Sequence, residues 1–182
     1  MAIKEWIGAI FTTILNGIKR GLLLILISCA SASVLGFLIV ITSFVSYQFI
    51  EKMSFFAQVI AMAIITMPAY LFIMRRILME EGYKDMRAGE WNFKGKAVEL
   101  AIGTIVLILP LIFTMGIKDL SKNMWVFLLY APHSILYPLI NHMFISCTII
   151  IILEYFILLF LYRLGGRIYL SEKKERESGV IL

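Results

Sequence analysis

Four long apolar runs, separated by polar segments, dominate the hydropathy pattern of the chain. Each run contains about 20 residues or more, which is the length that an α-helix needs to cross about 30 Å of hydrocarbon. Pro68 and Pro110 lie inside the second and third runs, where each frees a backbone carbonyl and favours a kink. The pattern therefore predicts an all-α integral membrane protein with four transmembrane helices, at about 22–47, 55–74, 97–117 and 143–162.

The N-terminal segment 1–20 has a helical period with one apolar face. Glu5, Asn16 and Lys19 lie on the opposite face, and the segment is too short to span a bilayer. We therefore expect an amphipathic helix in the membrane interface, with a partner-binding helix as the alternative. The apolar side chains are Ile3, Trp6, Ile7, Ile10, Phe11, Ile14, Leu15 and Ile18.

A fifth apolar stretch, 124–140, contains Pro132, His133 and Pro138 near its middle. If the chain crosses the membrane four times, 14 of the 17 basic residues lie on the same side, as the positive-inside rule favours. A fifth crossing would place the five C-terminal basic residues on the outer side instead. We therefore predict that 119–142 is a re-entrant or hairpin element on the outer side. Both termini would then be cytoplasmic.

The remaining boundaries follow from glycines and charges. We expect the second helix to end at Glu81 with Gly82 as its stop, inside a cytoplasmic loop 75–96. Gly165 and Gly166 predict the end of the last helix, so that 21–164 form the bundle and 165–182 a solvated cytoplasmic tail.

Composition agrees with a membrane protein. The chain is 61% hydrophobic and 16% charged, with a mean hydropathy of +0.92. The net charge of +5 has no solvated basic domain to carry it, so we expect no nucleic-acid partner. Cys29 and Cys147 lie in apolar runs and predict neither a disulfide framework nor a redox motif.

Glu154 is the most informative polar residue, because an ionised carboxylate in hydrocarbon must be neutralised, hydrated or paired. It lies about 13 Å from the cytoplasmic end of the last predicted span. Small hydroxyl residues of the other spans lie near the same depth, so we predict a buried polar layer. Its members would be Glu154, Ser28, Ser31, Thr66 and Thr104. A structural link, proton or cation coupling, and contact with another subunit are the three possible roles.

A ridge of small residues occurs in the first span, where Ser28, Ala32 and Gly36 recur every four residues. Such a ridge lets another helix approach closely. The partner helix could belong to the same bundle, to a different protein or to a second copy of the chain.

No motif for catalysis or for metal binding is present in the sequence. His133 and His142 lack the spacing of a metal site, so we expect no metal, no cofactor and no enzymatic activity. The irregular outer element instead offers possible partner contacts, at His133, Tyr137, Asn141 and His142.

These features favour a small bacterial inner-membrane protein that acts by helix and loop contacts with a larger membrane complex. Size and layout, rather than any motif, are similar to those of plasmid exclusion proteins and pore-colicin immunity proteins. The expected partners are membrane lipids and another membrane protein or a homo-oligomer. The alternative is a transport or channel subunit that uses Glu154 for proton or cation coupling.

Overall fold

Helices make up nearly all of the protein in the computed structural model, which describes residues 2–51, 54–112 and 129–178. Side chains are described from 6 to 33, at 54, and over 57–112 and 129–178. A 3₁₀ turn, Ala131–His133, precedes the short helix α4. The helices that lie wholly within the described residues are α1 (Ala2–Glu51), α2 (Phe55–Ala88), α3 (Phe93–Ile112), α4 (Tyr137–Ile140) and α5 (Met143–Glu177).

Four of these helices are long and apolar enough to cross a membrane, which confirms the predicted all-helical bundle with four spanning helices. The predicted spans at 55 and 143 begin where α2 and α5 begin. Both α2 and α3 continue through their internal prolines, Pro68 and Pro110. Residues 113–117 of the third predicted span lie outside the described residues.

Three predicted boundaries differ from the structure. α1 is one continuous helix of 50 residues, without a break between 20 and 21. α2 continues through Gly82 and stops at Gly89, whose φ of 75° is the left-handed conformation that favours glycine. α5 continues through Gly165 and Gly166 to Glu177, so the last helix does not end at these two glycines. The predicted cytoplasmic loop 75–96 is therefore helical except between α2 and α3.

Close packing explains why these glycines do not end their helices. A Cβ atom at Gly82 would overlap the Tyr162 carbonyl of α5, and one at Gly165 would overlap the Met79 carbonyl of α2. The two backbones therefore touch at this crossing, which is possible only without side chains. Tyr83 bonds Glu172 farther along, so α2 and α5 run parallel.

The second parallel pair consists of α1 and α3. Gly17 faces Ile102, and Gly21 faces Val106. The predicted ridge lies about two to four turns beyond Gly21. Ser28 and Ala32 are buried, whereas Gly36 lies outside the residues whose packing is described. α1 and α3 therefore pack closely at Gly17 and Gly21.

Candidate functional site

Glu154 is buried, with 5% of its surface exposed, about three turns into α5. One carboxylate oxygen accepts a hydrogen bond from the Tyr70 hydroxyl of α2. The other oxygen lies 2.8 Å from Nε2 of His133, in the 3₁₀ turn. Tyr70 and His133 are each 1% exposed. These three side chains, the Glu154 cluster, join three separate elements of the fold.

The Glu154 cluster can hold a proton in two arrangements. If Nε2 of His133 carries the proton, both carboxylate oxygens accept hydrogen bonds. If Glu154 is protonated, it donates to Nε2. Nδ1 of His133 is buried and has no hydrogen-bond partner in the described part of the chain. The donor in the hydrogen bond between Glu154 and His133 therefore depends on which of the two side chains carries the proton.

A small cavity adjoins the Glu154 cluster. Its volume is about 120 Å³, and its walls include Met67, Leu153 and all three members of the cluster. A site of this size has room for water, because a single water molecule occupies about 30 Å³ of liquid.

The four hydroxyl residues of the predicted polar layer are buried as expected, but they do not bond Glu154. Ser31, Thr66 and Thr104 each donate to the carbonyl four residues earlier in their own helix, at 2.7 to 2.8 Å. Ser28 donates to the Leu129 carbonyl. The predicted partners of Glu154 are therefore corrected to Tyr70 and His133. A short hydroxyl side chain finds a carbonyl one turn back, whereas the tyrosine ring is long enough to reach the neighbouring helix.

The four predicted contact residues of the outer element divide into two pairs. His133 and Tyr137 are buried, so neither presents a free surface. Asn141 and His142 are exposed; Asn141 has a φ of 52° and His142 is the N-cap of α5. Residues 119–128 of this predicted element lie outside the described residues.

A second polar site, which sequence reasoning missed, surrounds Arg20 of α1. This arginine is 8% exposed and bonds Glu81 of α2 at 2.7 Å and Glu99 of α3 at 3.1 Å. Lys96 bonds the same two acids, at 3.3 and 3.0 Å. We call these four residues the charged cluster. In the sequence, these basic residues carried only a membrane-orientation signal, because the acids that pair with Arg20 are more than 60 residues away.

Aromatic residues tie α5 to the charged cluster. The Tyr162 hydroxyl donates to Asp85 at 2.8 Å, and Trp91 stacks on the Tyr162 ring with centroids 4.6 Å apart. Nζ of Lys96 lies 5.4 Å from the same ring, within the range of a cation–π contact. All four spanning helices thus contribute to this region.

Metal-ligating side chains do not gather in groups of three or more anywhere in the described residues. Cys29 is exposed and Cys147 is buried, and both are free thiols. Comparison with protein-family models, with curated proteins and with solved structures finds no match to this chain.

Proposed function

We propose that this protein acts without catalysis, through contacts with a larger membrane complex, as an accessory, assembly, immunity or exclusion protein. The observation that carries the proposal is the uncovered apolar face of the N-terminal third of α1. Trp6 is 69% exposed and Phe11 is 66% exposed. The same face also exposes Ile7, Ile10, Ile14, Leu15 and Ile18.

The length of α1 supports this interpretation. Its 50 residues extend about 75 Å, whereas a bilayer with its headgroups is about 40–45 Å thick. Charged groups are least costly near the headgroups, so we place the charged cluster at the cytoplasmic interface. About 27 Å of α1 then precedes Arg20 on the cytoplasmic side. An exposed apolar face of that length is typical of a protein–protein interface, and another membrane protein or a second copy of this chain would shield it from water.

The same placement gives a topology. We propose that both termini are cytoplasmic and that the protein lies in the bacterial inner membrane. His133 meets Glu154 about 16 Å along α5 from Met143, so the chain would rise from mid-membrane depth to the outer end of α5. This geometry supports a re-entrant segment over 131–142.

Photo-crosslinking in intact cells tests the contact proposal. A photoreactive phenylalanine analogue at Phe11 should give a discrete protein adduct, either a dimer or a complex with another membrane protein. The same analogue at Thr12, which is exposed on the polar face, is the matched control and should give none. Lipid adducts alone at Phe11 would contradict the proposal and would show instead that this segment lies on the membrane surface.

The second candidate function is a transport or channel subunit with Glu154 as the coupling group. The hydrogen bond between Glu154 and His133 beside a cavity favours it, because ionisable groups inside a membrane often serve as proton relays. In proteoliposomes under a pH gradient, Glu154→Gln should abolish proton or cation flux. Glu80→Gln, on the exposed side of α2, should preserve that flux. The absence of flux in the unsubstituted protein would exclude transport by this chain alone.

A further inference from the structure

A polar cavity of about 370 Å³ opens beside the charged cluster. This volume lies within the roughly 300–1,000 Å³ of pockets that bind small molecules. Three cationic side chains line it, and so do three carboxylates, so the formal charge of its lining is balanced. They are Lys19, Arg20 and Lys96, and Glu81, Asp85 and Glu99. A second cavity of about 190 Å³ shares Asp85, Lys96 and Glu99 with the first.

Groups of both signs in this lining have unused hydrogen-bonding capacity. Arg20 is more than nine-tenths buried, and its Nη1 has no hydrogen-bond partner in the described part of the chain. A buried donor without an acceptor is costly, so this nitrogen favours an anionic oxygen as its partner. Lys19 adds an exposed ammonium group beside it.

The carboxylate of Asp85 offers the opposite chemistry. One of its oxygens accepts the Tyr162 hydroxyl, and the other accepts no described hydrogen bond. Asn16 also lines the cavity, and its amide can both donate and accept. A donor-rich ligand group therefore has acceptors on the same cavity wall.

We propose that this cavity binds a zwitterion in which a primary ammonium group lies close to a phosphate or carboxylate group. The anionic part would bind Arg20 and Lys19, and the ammonium would bind Asp85. A purely anionic ligand would meet three carboxylates and a purely cationic ligand three cations, so a ligand carrying both charges matches the lining best.

Two sources can supply this chemistry. The headgroup of phosphatidylethanolamine is one, because the charged cluster would lie at headgroup depth. A small soluble zwitterion such as an amino acid is the other. The site does not depend on the proposed partner of α1, so each proposal can fail without the other.

The experiment uses the full-length purified protein. Native mass spectrometry after exchange into mixed micelles would compare retention of phosphatidylethanolamine, phosphatidylcholine and phosphatidylglycerol. We expect preferential retention of phosphatidylethanolamine, because the quaternary ammonium of phosphatidylcholine has no N–H donor and phosphatidylglycerol has no amine. In parallel, thermal shifts would be measured with glycerophosphoethanolamine and with β-alanine. A shift with β-alanine without lipid preference would support the soluble source.

Two substitutions and a control locate the binding. Asp85→Asn and Lys19→Gln should each weaken binding about tenfold, as expected for the loss of one charge-assisted hydrogen bond. The weaker binding would appear as lower lipid retention or as a higher half-maximal ligand concentration. Glu80→Gln, which changes an exposed acid outside the cavity lining on the same helix, should leave binding unchanged. Because Lys19 is exposed, Lys19→Gln keeps the test valid if Asp85→Asn fails to fold. The proposal would be overturned by no preference among the three lipids together with no thermal shift. It would also be overturned if both variants bound as well as the unsubstituted protein.

Discussion

The Glu154 cluster and the charged cluster both hold ionisable side chains between packed helices, but they differ in the number of charges and in exposure to water. The Glu154 cluster contains a single carboxylate, and its two partners, Tyr70 and His133, can both be neutral. The charged cluster holds two full positive and two full negative charges, and the exposed fraction of its side chains ranges from 8% at Arg20 to 31% at Glu81. Full charges therefore occur where water reaches some of them, whereas the buried site contains one acid whose two partners are a phenol and an imidazole.

The two clusters also link the helices at different depths. Glu154 and Tyr162 lie about 12 Å apart along α5. The Glu154 cluster joins α2, α5 and the 3₁₀ turn, and the charged cluster joins α1, α2 and α3. The Glu154 cluster thus acts within the α2–α5 pair, whereas the charged cluster fastens the α1–α3 pair to α2.

The largest expected effect is that of Glu154→Leu. It leaves a buried histidine and a buried tyrosine without their shared acceptor, so we expect unfolding free energy to fall by about 3–5 kcal/mol. Glu154→Gln keeps an acceptor oxygen and should lose about 1–2 kcal/mol. Denaturant unfolding in mixed micelles measures both. Equal losses for the two variants would show that charge, rather than hydrogen bonding, is what the site needs.

A somewhat smaller effect is expected for Gly82→Ala, at the crossing that holds α2 against α5 below the Glu154 cluster. The added Cβ would overlap the Tyr162 carbonyl, and overpacking of this kind costs about 1–3 kcal/mol. Gly8→Ala is the matched control, because no atom lies within 4 Å of the position of its Cβ. Thermal unfolding in detergent should separate the two, and an unchanged midpoint for Gly82→Ala would contradict the close crossing.

The charged cluster should respond to salt, in contrast to the Glu154 cluster. Arg20→Gln leaves Glu81 and Glu99 with Lys96 as their remaining described cation, and we expect a loss of about 2 kcal/mol. Raising the salt concentration to about 1 M should reduce this difference, because the cluster is partly exposed. The difference for Glu154→Gln should not change. The loss of unfolding free energy is measured for both variants at low and at high salt. If salt reduces the two losses equally, the proposed difference between the two clusters is wrong.

The smallest effect concerns the hydroxyl groups. Thr66→Val removes a bond within one helix and should change stability by less than about 1 kcal/mol. Ser28→Ala removes a bond to the Leu129 carbonyl, outside its own helix, and should cost about 1 kcal/mol. Denaturant unfolding of both variants provides the measurement. A loss for Thr66→Val as large as that for Glu154→Gln would restore the predicted polar layer.

The depth of a residue along a helix can be counted from the sequence, but the neighbouring helix that its side chain faces cannot. That count correctly gave Glu154 a buried position and also gave buried positions to Thr66 and Thr104. It missed Tyr70, whose long side chain reaches another depth, and it assigned His133 to the outer surface. The charged cluster was missed for a related reason, since Arg20, Glu81 and Glu99 are far apart in sequence and meet only when three helices pack.

The all-helical architecture and the four spanning helices could be predicted from the amino-acid sequence, because apolar length and helical hydrogen bonding inside lipid are local properties. The same is true of the need of Glu154 for a partner. The identity of its partners, the close packing at Gly82 and Gly165 and the pairing of the charges became visible only in the folded bundle. Those outcomes depend on which helix faces meet, and that is a property of the packed bundle rather than of any single segment.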